Sequence, residues 1–157
     1  MDATTALRLT ADGWRRLHDE LLTLSEERRE IEAAELAPDE RRAALVPLES
    51  RIIELEAMLA RAVPVDPAER EPGTAGVGSQ VSVSWDDGTE ETYAIVGPPE
   101  VETRSGRISY ESPVGRALVG RKAGERIAVA TPAGVTRLRV LAIADLSPGG
   151  DGPNAAD

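Results

Sequence analysis

The sequence predicts an α+β fold, in which an N-terminal antiparallel coiled-coil hairpin precedes a small antiparallel sheet domain with one short helix. Two observations support this prediction. Through the first sixty or so residues, apolar side chains recur at alternating spacings of three and four, as in paired helices, whereas after residue 78 they alternate every second residue, as in strands. Between these regions, residues 64–77 are rich in proline and glycine and show no periodicity, which marks a boundary.

The first helix is predicted to begin at Thr10, because a threonine hydroxyl is a favourable N-cap. Leu9 and Trp14 occupy the two positions of a hydrophobic staple around this cap. A heptad seam then follows, and it is interrupted once by an arginine. Its members are Trp14, Leu17, Leu21, Leu24, Arg28 and Ile31.

The second helix continues the same pattern after a short break. Its seam consists of Leu45, Leu48, Ile52, Leu55, Leu59 and Ala62. Pro47 lies inside this helix, so a kink or a local opening is expected near residues 43–46. Arg28 of the first seam is expected either to extend its charged end into water or to pair with Glu49 or Glu56.

The later part of the chain predicts a sheet. Residues 80–96 alternate in polarity on both sides of an Asp-Asp-Gly turn at 86–88, which is typical of a β-hairpin. A strand around residues 107–110 and a short helix over 114–119 follow. Two further strands are predicted to meet at a turn over residues 132–134.

These patterns predict four segments: a coiled-coil hairpin over residues 1–63, a linker over 64–77, a sheet domain over 78–146, and a disordered tail over 147–157. The start of the chain lacks the pattern of a signal peptide, and no segment approaches the ~20 apolar residues of a membrane span. We therefore expect a soluble cytoplasmic protein that does not associate with membranes.

Charge and composition disfavour several classes of function. The formal net charge is −10 and the pI is about 4.7, which disfavours a generic electrostatic grip on nucleic acid and favours a protein or a cation as partner. The absence of cysteine excludes disulfides and thiolate metal sites. His18 is the only histidine, and no glycine-rich loop precedes a helix, so neither a catalytic triad nor a phosphate loop is indicated.

Acidic residues dominate the region between the two helices, with a net charge of −5 across residues 26–40. Most of these acids fit a solvated helix face. Glu35, Asp39 and Glu40 lie at the tip, where Pro38 suits the first position of the second helix. Carboxylates there could supply oxygen ligands to a Mg²⁺ ion that another macromolecule already holds.

The C-terminal part combines several motifs over residues 78–97 and 110–134: Ser112-Pro113 before the short helix, a Gly-Arg-Lys-Ala-Gly turn after it and a Thr-Pro-Ala-Gly turn at 131–134. In these motifs it closely resembles the Gre family of bacterial transcription elongation factors. Together with the preceding hairpin the resemblance covers residues 7–145. It implies an FKBP-like domain that docks on RNA polymerase and a coiled coil that enters the polymerase's secondary channel.

The resemblance also implies site residues. It assigns polymerase docking to Glu111, Ser112 and Pro113, and contact with the second active-site Mg²⁺ to the tip acids, with Asp39 and Glu40 as possible shared ligands. The tip nevertheless lacks the Asp-Leu-x-Glu-Asn-Ala-Glu-Tyr stretch of cleaving members. The hairpin is also shorter by about five residues per arm, which withdraws the tip by ~7–8 Å at 1.5 Å per residue.

We therefore expect a monomeric, non-cleaving Gre homologue that binds RNA polymerase and inhibits transcription. It would have no enzymatic activity or cofactor of its own, and it would meet nucleic acid only through the polymerase. The alternative is a Gre-type factor that stimulates transcript cleavage and rescues backtracked complexes.

Two hypotheses from other classes are weaker. A peptidyl-prolyl isomerase needs an aromatic pocket, and the sheet domain offers only Trp85, Tyr93 and Tyr110. A structural coiled-coil dimeriser is disfavoured because the turn lets the two seams pair within one chain.

Overall fold

The computed structural model of the protein describes residues 6–147, which separate into two compact units. One unit consists mainly of residues 14–63, and the other of residues 8–13 and 64–147. The predicted α+β class is confirmed, because two long helices are followed by a mostly antiparallel sheet with one short helix. Apart from Ser147, the predicted tail over residues 147–157 lies outside the described residues.

Three α-helices and seven strands make up the described chain. The helices are α1 (Ala11–Ala33), α2 (Pro38–Ala60) and α3 (Pro113–Leu118). The strands are β1 (Leu7–Thr10), β2 (Ala62–Val65), β3 (Ser79–Trp85), β4 (Glu90–Val96), β5 (Arg107–Ser109), β6 (Arg126–Thr131) and β7 (Gly134–Asp145). Strands β1 and β2 form a two-stranded sheet, and the other five form a sheet of order β5-β4-β3-β7-β6.

Helices α1 and α2 form an antiparallel hairpin. The Arg51 guanidinium donates from Nε and Nη2 to the two carboxylate oxygens of Glu20, each at 2.9 Å. Closer to the turn, Arg41 Nη2 donates to the Ala34 carbonyl at 2.8 Å. Glu20 of α1 thus contacts Arg51 of α2, whereas Ala34, after the end of α1, contacts Arg41 near the start of α2. The two helices therefore run in opposite directions.

The two predicted seams face inward. Leu17 of α1 and Ile52 and Leu55 of α2 are buried, and the other apolar seam residues of the two helices are half-buried. Arg28 is half-buried at its seam position, and Arg51 and Glu20 form an ion pair between the two helices.

The expected opening of α2 near residues 43–46 is wrong, since the helix is continuous through Pro47. A proline removes one backbone donor, so the hydrogen bond to the Ala43 carbonyl is lost. Burial of Ile52 and Leu55 and the intact neighbouring turns offset that single loss.

The five-stranded sheet is antiparallel except between β4 and β5. A bulge interrupts the β3–β7 register between Ser82 and Val83, where Leu141 is the extra residue. The core lies on one face of the sheet. It is built from Ala75, Val77, Val81, Val83, Ile95, Leu118, Ile127, Val129, Leu138 and Val140.

Part of the segment predicted as a linker, residues 64–77, belongs to this core. Ala75 and Val77 are 2% and 5% exposed. Ala75 N donates to the Arg121 carbonyl at 2.9 Å, and its own carbonyl accepts from Gly120 N at 2.8 Å. The end of this segment is therefore held by the turn that follows α3, which its composition did not indicate.

A buried polar network fixes the start of α1 within the second unit. As predicted, the Thr10 hydroxyl caps the helix, accepting from Gly13 N at 2.9 Å. Thr10 N donates to the Glu100 carboxylate at 2.9 Å, and Gly97 N donates to it at 3.2 Å. Arg107 Nη2 completes the network 3.3 Å from Glu100, and both side chains are nearly inaccessible, at 5% and 4%. Hydrogen bonds from several donors compensate the burial of these charges.

Candidate functional site

The loop between β5 and α3 is held by its own hydrogen bonds. Ser112 Oγ donates to the Ser109 carbonyl at 2.7 Å and accepts from Gly115 N at 3.1 Å, which makes Ser112 the N-cap of α3. Glu111 N donates to Ser109 Oγ at 2.9 Å. Pro113 takes the first helical position. Glu111 and Pro113 therefore project from a fixed backbone as exposed side chains.

Helix α3 lies against the end of β5 so closely that only glycine fits at position 115. A Cβ there would stand 2.0 Å from the Ser109 carbonyl oxygen. At the other end of α3, Leu118 is fully buried in the core. These two contacts set the orientation of the helix, and the sequence pattern alone did not reveal the first of them.

The turn after α3 presents charges on a defined backbone. Gly120 and Gly124 have positive φ values of 86° and 94°, which glycine adopts readily. Lys122 N donates to the Glu125 carboxylate at 2.7 Å. Lys122 Nζ lies 3.1 Å from the carboxylate of Glu71.

At the hairpin tip, residues 34–37 form the turn and Pro38 is the first residue of α2. Asp39 and Glu40 occupy the first turn of this helix, where the helix dipole favours carboxylates. Glu35 lies in the turn itself, and all three acids are exposed. The tip therefore places Glu35 before Pro38, and Asp39 and Glu40 on the first helical turn after it.

A cation also lies at this tip, which the sequence analysis missed. Arg41 Nη2 donates to the Ala34 carbonyl, and Arg41 Nε is buried without a hydrogen-bond partner in the described chain. Within residues 6–147, no group of three His, Cys, Asp or Glu side chains is arranged to hold a metal ion. A metal at the tip would therefore need most of its ligands from another molecule.

The aromatic residues of the sheet unit serve its packing. Trp85, Tyr93 and Tyr110 all pack against the core. Trp85 Nε1 donates to Glu91 at 3.3 Å, and the Tyr93 hydroxyl also donates to Glu91. Burial, followed by the bond to Glu91, raises the pKa of Tyr93. This arrangement favours the sheet-core interpretation of these rings over an isomerase pocket.

Residues 70–145 match the family described as "Transcription elongation factor, GreA/GreB, C-term". The transcription elongation factor GreA of Chloroflexus aurantiacus is 48% identical over 97 residues, which cover 61% of this chain and 62% of that protein. GreA of Clostridium beijerinckii is 46% identical over 96 residues, covering 60% of each chain. The chain thus aligns with less than two thirds of the length of these relatives.

Among solved structures, the GreA factor homolog 1 (Gfh1) of Thermus thermophilus shares 29% identity, with a TM-score of 0.42 and coverage of 88% of this chain and 98% of that one. The GreA/GreB factor of Nitrosomonas europaea gives the same identity and TM-score. The matching region, residues 70–145, is slightly less than half of the chain. Over these residues the chain is similar to the C-terminal part of the GreA/GreB transcription elongation factors. Within residues 6–147, no helix combines the length and the apolar character that a membrane span requires.

Proposed function

We propose that this protein is a Gre-family regulator that binds RNA polymerase through its C-terminal unit and inserts its helical hairpin into the secondary channel. It inhibits transcription there without stimulating transcript cleavage. The observation that carries the docking role is the loop of residues 109–115. This loop lies in the region of the chain that matches the GreA/GreB family, is held by its own hydrogen bonds and exposes Glu111 and Pro113. A preformed loop loses little conformational entropy on binding.

The composition of the tip supports the absence of cleavage stimulation. The Arg41 guanidinium lies in the same turn as the acids, and a fixed positive charge there opposes the approach of a divalent cation. Glu35 stands in the turn before Pro38, whereas Asp39 and Glu40 follow it on the helix. Mg²⁺ accepts ligands only at about 2.0–2.1 Å in octahedral geometry, so a tip of altered sequence is poorly suited to a shared site.

The length of the hairpin also supports inhibition without cleavage stimulation. Each of α1 and α2 has 23 residues, which corresponds to about 35 Å at 1.5 Å per residue. Inside a channel, a rod of this length excludes small molecules, such as incoming nucleotides, by volume alone. Inhibition by occupancy needs no metal ligand.

The second candidate function is a cleavage factor that rescues backtracked elongation complexes. Asp39 and Glu40 favour it, because they are adjacent, exposed and held on the first turn of α2 by Pro38. In this version Glu35 and one of these acids replace the acidic pair of other family members.

In either version the chain has no catalytic activity or cofactor of its own, and its contact with a metal is limited to the polymerase's Mg²⁺. It works as a monomer in the cytoplasm and reaches nucleic acid only through the polymerase. The internal pairing of α1 with α2 supports the monomer, because each seam is already covered by the other.

The test is a titration of purified RNA polymerase with this protein, in which cleavage of the RNA 3′ end in a backtracked complex and total transcript yield are measured together. We expect the yield to fall without cleavage. Cleavage that disappears in a Glu35→Ala/Asp39→Ala/Glu40→Ala variant would establish the second candidate instead. Absence of binding to the core polymerase would refute both.

A matched control variant removes three exposed acids of the hairpin away from the tip, Glu27→Ala/Glu49→Ala/Glu56→Ala. It changes the net charge by the same amount as the tip variant. An effect confined to the tip variant is then due to position and not to overall charge.

A further inference from the structure

Three arginines share the outer face of the sheet in the second unit. Arg126 of β6 lies directly opposite Arg139 of β7, and Arg137 lies two residues further along β7. All three are exposed, whereas their neighbours Ile127 and Leu138 are buried on the core face. We call this surface the arginine face.

The arginine face borders a surface groove of about 670 Å³. The end of β3 supplies one wall with Ser84, Trp85 and Asp86, while β6 and β7 supply the floor. Ser84 pairs in register with Arg139, so its hydroxyl belongs to the same outer face. The groove therefore offers guanidinium donors and a hydroxyl side by side.

The charges of this face are not neutralised within the described chain. Two other arginines of the unit do have carboxylate partners, in the pairs Arg70–Asp145 at 2.9 Å and Arg121–Glu125 at 3.4 Å. Within residues 6–147, no carboxylate lies within ion-pair distance of the three side chains of the arginine face.

Two like charges directly opposite each other on neighbouring strands destabilise a sheet. Arg126 and Arg139 are such a pair, in a chain whose net charge is −10. Their repulsion disfavours the sheet, whereas an anionic partner would relieve it.

We propose that the arginine face binds an acidic polypeptide segment of a partner protein. Guanidinium groups bind carboxylates through paired hydrogen bonds. The three guanidinium groups of the arginine face therefore match a segment with two or three Asp or Glu side chains. The size of the groove suits a few side chains of an extended peptide.

A nucleic acid fits this surface less well. Proteins that hold nucleic acid mainly by charge commonly make 6–10 phosphate contacts, about twice or three times the number that three arginines provide. Asp86 lines the groove and repels a peptide carboxylate and a phosphate alike. Asp87 and Glu90 stand further along the β3–β4 turn and would in addition repel a longer polyanion. The proposal is independent of polymerase binding, since it concerns a different surface from the loop of residues 109–115.

The experiment is a nuclear magnetic resonance titration of the isotope-labelled full chain with a short oligoglutamate peptide. An oligoglutamine peptide of the same length and an oligothymidylate serve as comparison ligands. We expect oligoglutamate to shift the amide signals of Ser84, Arg126, Arg137 and Arg139, and oligoglutamine to leave them unchanged.

An Arg137→Gln/Arg139→Gln variant should weaken oligoglutamate binding by about tenfold or more, because each charge-assisted hydrogen bond it removes is a strong one. The matched control, Arg42→Gln/Arg104→Gln, removes two exposed arginines elsewhere and should bind as the parent does. Both variants alter exposed side chains, and an unchanged melting temperature in the control confirms that the comparison is valid.

Three results would overturn the proposal. One is the absence of localised shifts with oligoglutamate. Another is equal weakening in both variants, which would reduce the effect to overall charge. Tighter binding of oligothymidylate than of oligoglutamate at the arginine face would assign the surface to nucleic acid.

Discussion

Gly115 lies against the carbonyl oxygen of Ser109, so closely that a Cβ at position 115 would stand 2.0 Å from this oxygen. The contact joins the first turn of α3 to the last residue of β5. Between these two residues lies the loop that carries Glu111 and Ser112. The shape of the proposed docking surface therefore depends on a glycine that itself contacts no partner.

Replacing this glycine should destabilise the C-terminal unit. Gly115→Ala forces β5 and α3 apart, and overpacking of this kind typically costs about 1–3 kcal/mol. Urea denaturation measures the change. Arg116→Ala, at an exposed position of the same helix, should stay within about 0.5 kcal/mol of the parent. Equal unfolding midpoints for the two variants would show that the chain relaxes around the new methyl group.

The N-cap and the docking role of the same loop can be separated. Ser112→Ala removes the acceptor of Gly115 N and should cost about 1 kcal/mol, whereas Ser112→Thr keeps a hydroxyl and should cost less. These differences appear in urea denaturation and need no partner. They report on the capping role alone.

Glu111→Ala should leave the stability of the protein almost unchanged and weaken its binding to RNA polymerase. The Glu111 side chain is exposed, so stability should change by no more than about 0.5 kcal/mol. Binding to RNA polymerase should weaken about fivefold, which corresponds to one interface contact of ~1 kcal/mol. Surface plasmon resonance with immobilised polymerase measures it. Unchanged affinity would remove Glu111 from the proposed docking surface, whereas the similarity of residues 70–145 to the GreA/GreB family would stand.

The sequence predicted those features that repeat or that follow local rules. The two seams could be identified because Leu17, Ile52 and Leu55 belong to a periodic pattern, and the cap at Thr10 because capping depends on nearby residues. These predictions are confirmed in the fold. The roles of the tip acids Glu35, Asp39 and Glu40 remain predictions.

Contacts between distant residues could not be predicted in this way. Glu100 lies 90 residues from Thr10, and no periodicity links them. The interhelical pair Arg51–Glu20 depends on the rotation of each helix, which a heptad pattern fixes only approximately. Arg41 is similar, because its contact with the Ala34 carbonyl follows from the shape of the turn.

The Arg51–Glu20 pair gives a pH-dependent stability. The hydrogen bond from Arg51 lowers the pKa of Glu20 below its ordinary value of 4.5, against a smaller opposing effect of desolvation. A carboxyl with a lowered folded-state pKa stabilises the fold above its unfolded pKa. This contribution is lost as the pH falls below about 4.5 and through the folded pKa.

Glu20→Gln should therefore lower the melting temperature at neutral pH, and the difference from the parent should shrink below pH 4.5. Both side chains are more than a third exposed, at 38% and 39%, so solvent and salt limit the effect to ~1 kcal/mol or less. Glu26→Gln, at the more exposed pair with Arg29, should show a smaller change. A difference that stays constant from neutral to acid pH would exclude ionisation of Glu20 as its source.

The buried pair of Glu100 and Arg107 should be the most sensitive site in the second unit. Glu100→Ala leaves the Arg107 guanidinium buried without its carboxylate and deprives Thr10 N of its acceptor. Loss of one partner of a buried ion pair typically costs about 3–5 kcal/mol. Urea denaturation should show this loss, whereas Glu90→Gln, at an exposed position of β4, should have little effect.

A double variant tests the cause. Adding Arg107→Met to Glu100→Ala removes the buried charge that has lost the Glu100 carboxylate, so the double variant should be more stable than the Glu100→Ala single variant. Unfolding of the sheet can be followed by the fluorescence of Trp85, which packs against its core, in a Trp14→Phe background that removes the other tryptophan. If the second change instead lowered stability further, the cost of Glu100→Ala would come from lost packing and from the Thr10 hydrogen bonds rather than from a stranded charge.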